Sequence, residues 1–210
     1  MTHRYEDAAH SFIRMCATNK WSHGLYTYIA GICYAELFRQ NPSNSAYGSK
    51  ANSLLDSVPS LLSKRKSFGG KRIPFEQFVD RKITRFQSRA PNGSIVEGIT
   101  GPVTEEVTYL LCNGQKRMGA KDLEKSWESL ELWSEVEGGE EEEVATAFLK
   151  SVVDRNAGRY KDARDRIEEK VIGEALSKRT QLGCNDWVAG YAYYEVSTTL
   201  YAELSVDGCY

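Results

Sequence analysis

A chain of 210 residues that is 41% hydrophobic and 11% aromatic can bury enough apolar surface to offset the entropy of ordering, which excludes a disordered polypeptide. Its formal charge of −2 supplies no overall basic field, so no nucleic acid is expected as a partner. The opening residues 1–7 hold no apolar run of the signal-peptide kind, and no segment approaches the roughly 20 apolar residues that span a bilayer. The chain reads as cytoplasmic, or at most peripheral to a membrane. Cys16, Cys33, Cys112, Cys184 and Cys209 are odd in number, scattered and without CxxC spacing, as suits buried or idle thiols in a reducing compartment.

Few prolines and plentiful Glu, Lys, Leu and Ala favour helix. Residues 4–16 place Tyr5, Ala8, Phe12 and Met15 on one stripe, and 21–38 form a longer apolar helix that Asn41-Pro42-Ser43-Asn44 stops. Residues 50–65 hold one or two short helices, with Pro59 expected to divide them. A basic, glycine-containing loop follows. Pro74 opens helix 74–88, whose stripe is Phe75, Phe78, Val79, Ile83 and Phe86. Residues 90–101 form a loop, and Pro102 opens a helix that Asn113-Gly114 closes. Helices 119–136, 140–156 and 159–176 follow, with Leu123, Trp127 and Leu130, then Val144, Phe148 and Val152, then Tyr160, Ala163, Ile167 and Val171 facing inward. The last helix, about 186–205, starts at an Asn185 or Asp186 cap. No stretch alternates at period two, so no sheet is expected.

Arg4-Tyr5-Glu6-Asp7-Ala8 is echoed by Arg159-Tyr160-Lys161-Asp162-Ala163, each followed four residues on by a hydrophobic residue, Phe12 or Ile167. This is the opening of the second helix of a tetratricopeptide unit, where a small alanine admits the paired helix. The second copy has a complete first helix before it, at 140–156. The first has none, which suggests that residue 1 falls inside a repeat with its partner upstream. The alternative is an ordinary helical hairpin of 4–16 on 21–38. The expected fold is all-α: a tetratricopeptide-like solenoid of antiparallel helix pairs stacked with a right hand. It forms one region over 1–210, comprising a partial pair at 1–40, helices with the basic loop at 41–101, and repeat pairs with the aromatic terminal helix at 102–210.

Three segments together resemble one family. They are Lys20-Trp21-Ser22 with Tyr26-Thr27-Tyr28, the run from Gly70-Lys71-Arg72-Ile73-Pro74 to Asp80-Arg81-Lys82, and Asp186-Trp187 with Tyr191-Ala192-Tyr193-Tyr194-Glu195. Their order and spacing are similar to the C-terminal half of the fungal inclusion-body-clearance proteins and their animal relatives, the tetratricopeptide-repeat-protein-39 group. The resemblance implies a helical-repeat protein without known catalytic or cofactor residues, cytoplasmic and sometimes nuclear. It also implies an association with lipid droplets or the mitochondrial outer membrane and a role in clearing misfolded inclusions. The implied partners are proteins, either misfolded clients or lipid-droplet-associated proteins. The alternative is a peripheral membrane protein of the mitochondrial outer membrane.

The residues themselves name no catalyst. Gly69-Gly70-Lys71-Arg72 lacks the upstream strand and the trailing Ser or Thr of a phosphate loop. His3, His10 and His23 show no metal-ligand spacing, so no metal or other cofactor is expected. The run Glu140 to Glu143 reads as a solvated helix start complementing the dipole. Two contact sites are open. Lys64, Arg65, Lys66, Lys71 and Arg72 gather five cations within nine residues, which suits either a solvated loop or an anionic surface or partner. In the terminal helix Trp187, Tyr191, Tyr194 and Tyr201 lie along one side, with Tyr193 and Leu200 nearer another. Such a stripe is core or a partner contact, with Trp187, Tyr191 and Tyr194 the candidates for contact.

Overall fold

The protein, seen in a computed structural model, is described over residues 3–19, 21–64, 73–175 and 182–206. Every regular element among these is helical, and the chain divides into two compact units, Met1–Ile99 and Thr100–Tyr210.

In the first unit α1 (Tyr5–Thr18), α3 (Ser45–Lys64) and α4 (Pro74–Arg89) pack around α2 (His23–Gln40). α2 is buried without a break from Gly24 to Glu36, which its apolar run requires. It starts two residues later than its apolar pattern because Ser22 caps it, accepting from the Leu25 N–H at 3.4 Å and leaving Trp21 outside. Gly24 and Gly31 allow α3 to lie close. A β-carbon on either would stand 2.5 Å from Leu62 or 2.7 Å from Leu55.

Pro59 does not divide α3. The helix runs through it, because Ala51, Leu55, Val58 and Leu62 form one buried stripe whose packing outweighs one lost helix bond. The span 90–101 is more ordered than a plain loop. It makes two 3₁₀ turns, Pro91–Gly93 and Ile95–Gly98, with Ile95 buried. The Asn52 side chain anchors them, accepting from the Val96 N–H at 3.0 Å.

The second unit contains α5 (Val103–Cys112), α6 (Ala120–Ser134), α7 (Glu140–Asn156), α8 (Tyr160–Arg166) and α9 (Trp187–Val206). Its core joins Tyr109, Leu123, Leu130, Phe148, Leu149, Val152, Ile167, Val171 and Val188. Asn113 closes α5 in the left-handed region, and Gly158 turns the chain after α7 at φ +80°. The sequence echo has a backbone counterpart: Arg4 and Arg159 precede their helices at φ −98°, ψ 63° and φ −87°, ψ 63°.

Helix 159–176 departs from expectation. Only Tyr160–Arg166 is α-helical, and Ile167–Ala175 is π-helical. The buried residues Ala163, Ile167 and Val171 stay on the core across the change of turn. The start of α9 differs too. Asn185 is wholly buried, and its amide donates to the Glu141 carbonyl at 2.9 Å and to Glu142 Oε2 at 3.0 Å. It ties the start of α7 to the approach of α9.

Candidate partner-binding surfaces

α9 places its apolar residues on two sides. Val188, Ala192, Glu195 and Thr199 face inward, so the buried stripe is made of small and polar side chains. The aromatics point elsewhere. Tyr194 is 53% exposed and Tyr201 70%, so of the two readings open for the stripe these two rings are not core. Val188 and Ala192 fill the inward side completely, neither keeping any exposed surface. Trp187 is half-buried, with Tyr109 and Phe148 at ring distances of 6.1 and 5.4 Å, and the exposed Tyr191 meets Tyr109 edge-on at 5.5 Å. Of the three candidate aromatics, Trp187 and Tyr191 thus share one ring cluster. Tyr194 extends the same flank into solvent.

A polar chain lies under this cluster. Tyr109 Oη donates to Glu195 Oε1 at 2.8 Å, and Arg155 Nε donates to Glu195 Oε2 at 2.8 Å. Burial, then the Glu195 carboxylate, push the Tyr109 phenol far above its ordinary range. Sequence reasoning passed over this network. Its one visible signal was a lone glutamate, Glu195, on the helix side of Val188 and Ala192.

Trp127, expected inward, is half-buried and ringed by cations. Lys150 Nζ stands 5.4 Å from its ring centre, and the Arg159 and Arg166 guanidiniums 5.1 Å each. Asp154 holds both arginines, at 2.7 and 3.3 Å. Burial raises the Asp154 carboxyl, more than the two guanidiniums lower it. Beside this latch runs a cleft of about 430 Å³, lined by Trp133 and Val144 and by charges of both signs. Its carboxylates come from the first turn of α7 and its cations from Lys150, Arg166 and Lys170.

The acidic run at that first turn is not a uniformly solvated face. Glu141 and Glu142 are buried and Glu140 and Glu143 exposed. Gly101, Gly138 and Gly183 leave room for the two buried side chains, each standing where a β-carbon would meet one of them within 2.7 Å.

In the first unit Ser22 Oγ donates to Glu76 Oε1 at 2.6 Å, both buried, so two of the three family-like segments meet. Cys33 is wholly buried, and burial pushes its thiol up to about 12. Of the basic candidates, Lys64 closes α3, while Arg65, Lys66, Lys71 and Arg72 lie outside the described residues. No group of three or more His, Cys, Asp or Glu among the described residues is placed to hold a metal ion, and no described helix is long and apolar enough to cross a membrane.

Comparison with known proteins places this architecture. The sequence profile of the Iml2/Tetratricopeptide repeat protein 39 family matches residues 1–157. An inclusion body clearance protein iml2 of Aspergillus niger is 31% identical, covering 96% of this chain and 31% of that protein. One of Yarrowia lipolytica is 30% identical, covering 91% and 30%. An IML2-like protein of Saccharomyces cerevisiae is 27% identical, covering 98% and 31%. The chain therefore spans about a third of the length of the curated relatives it matches. No solved structure matches it significantly. With three-quarters of its length under one family profile and an all-helical architecture to match, the chain belongs to the Iml2/tetratricopeptide repeat protein 39 family.

Proposed function

We propose that this chain is a non-enzymatic contact module that helps clear misfolded-protein inclusions by holding other proteins, as an adaptor at lipid droplets. Kinship with proteins named for inclusion body clearance supports the process. Helical-repeat proteins act in general by offering side-chain surfaces to other chains. The observation that carries the contact role is the flank of α9, where Tyr191 and Tyr194 stand exposed beside the half-buried Trp187. Rings of this kind suit protein interfaces because the phenol keeps its hydroxyl wet while the ring is covered.

The test uses the full-length protein in cells that lack their own copy and carry an aggregating reporter. Tyr191→Ser with Tyr194→Ser is expected to slow inclusion loss several-fold while protein abundance stays unchanged. Clearance at the parent rate would remove α9 from the mechanism. A reading as a peripheral mitochondrial outer-membrane protein rests instead on the Lys64–Arg72 cations. It requires that charge reversal at Lys64, Lys66 and Lys71 abolish flotation with anionic vesicles.

A further inference from the structure

The outward residues of α9 recur every seven positions. Gly190, Ser197 and Leu204 form one file, Tyr193 and Leu200 a second, Tyr194 and Tyr201 a third. On a helix of 3.6 residues per turn these files lie side by side as a single seam. The large members are open to solvent: Tyr193 is 56% exposed, Leu200 38% and Leu204 42%, beside Tyr194 and Tyr201. The seam carries no charge. α9 has no Lys or Arg, and its two carboxylates are engaged elsewhere, Glu195 by Tyr109 and Arg155 and Glu203 by Arg164 at 2.6 Å. An apolar seven-residue seam is the pattern by which one helix lies along another.

We propose that this seam pairs with the same seam of a second copy of the chain, antiparallel, about a two-fold axis near Ser197. Such pairing sets Gly190 against Leu204, Tyr193 against Tyr201 and Tyr194 against Leu200 of the second copy. A gap meets a branched side chain at both ends, and Ser197 on the axis lets the two backbones come close. Parallel pairing would set Gly190 against Gly190 and Leu204 against Leu204, leaving a void at one end and crowding at the other. At roughly 150–250 Å² for a whole aromatic side chain, the exposed parts of the five large residues come to about 500 Å² per copy. A pair then removes about 1,000 Å² from water, the lower bound of a specific association. No ion need be desolvated. An anionic membrane is a poorer occupant, because a helix that binds one brings Lys or Arg on its rim and α9 has none. The pairing and the proposed client surface share Tyr194 alone: Trp187 and Tyr191 lie toward the other edge of α9, and Ser197 and Tyr201, the positions that the test substitutes, belong to the seam only, so failure of one reading is distinguishable from failure of the other.

Sedimentation equilibrium of the 210-residue chain across roughly 1–200 µM tests it, a span that detects micromolar association. The mass is expected to rise from 23.6 kDa toward twice that value. Tyr201→Glu is expected to hold the chain at monomer mass with its helical circular dichroism unchanged. Ser197→Cys under mild oxidation is expected to give a covalent dimer joined 197 to 197, beyond whatever the parent's own thiols give. If Tyr201→Glu fails to fold, the Ser197→Cys cross-link decides alone. A monomer at every concentration would overturn the proposal. So would a dimer indifferent to Tyr201→Glu, no 197-to-197 link, or a monomer whose α9 seam instead carries it onto anionic vesicles.

Discussion

Ser22 performs two tasks at the start of α2: its hydroxyl accepts from the Leu25 N–H and donates to the buried Glu76 carboxylate at 2.6 Å. Ser22→Ala is expected to lower unfolding stability by about 2–4 kcal/mol, the sum of a lost cap and a lost bond to a charged group. Urea denaturation checks this, and Ser22→Thr, which keeps the hydroxyl, should recover most of the loss. An unchanged midpoint in the alanine variant would mean that water replaces the hydroxyl. Nothing in the local spacing announces this pair, because its members lie 54 residues apart. Both residues sit in segments that looked family-like, but a resemblance does not say why a residue is there. The burial of Glu141 and Glu142 is hidden from the sequence for a related reason. Four successive glutamates look alike in sequence, and only the room left by Gly101, Gly138 and Gly183 selects the two that are buried.

At the scale of elements, starts and stops followed from local chemistry. Pro74 at the head of α4, Asn113 and Gly158 after α5 and α7, and the apolar periodicity all act within a turn or two. The structure departs from those local rules where packing overrides one, as at Pro59, and where the turn widens, as at Ile167–Ala175, which no local pattern announces. A π segment of nine residues is less favourable per residue than an α-helix and should open more readily. Amide exchange along Ile167–Ala175 is therefore expected to run at least about tenfold faster than in the neighbouring α7, measured residue by residue near neutral pH. Equal protection in the two would show that side-chain burial fully offsets the unusual hydrogen bonding.

For the molecule as a whole, helical class and family were legible, because both depend on patterns spread along the chain. The contact surfaces were only half legible. A stripe of rings reads the same whether covered or bare, and which side of α9 is covered depends on the other helices of its unit. Bulk stability carries a pH signature from two buried acids. Cys33 keeps its proton to about 12 and Tyr109 to higher pH still, whereas the unfolded side chains release theirs near 8.5 and 10. Above those lower values the native state binds more protons than the unfolded chain, so raising the pH favours unfolding. Between pH 9 and 11 each group should subtract up to about 1.4 kcal/mol per pH unit once its unfolded form has ionised. Thermal melts at pH 8, 9.5 and 10.5 should show a falling midpoint, and Cys33→Ala and Tyr109→Phe should each flatten the decline. A midpoint constant to pH 10.5 would contradict the burial of both groups.

The two glycines of α2 have one more consequence. Gly24 and Gly31 are seven residues apart, and so, in reverse order, are the leucines they admit, Leu62 and Leu55. The arrangement works like a key with two pins. If α3 slid along α2 by a single turn, both leucines would strike side chains instead of notches at the same moment. That hairpin accordingly has one register that closes, chosen by where side chains are missing.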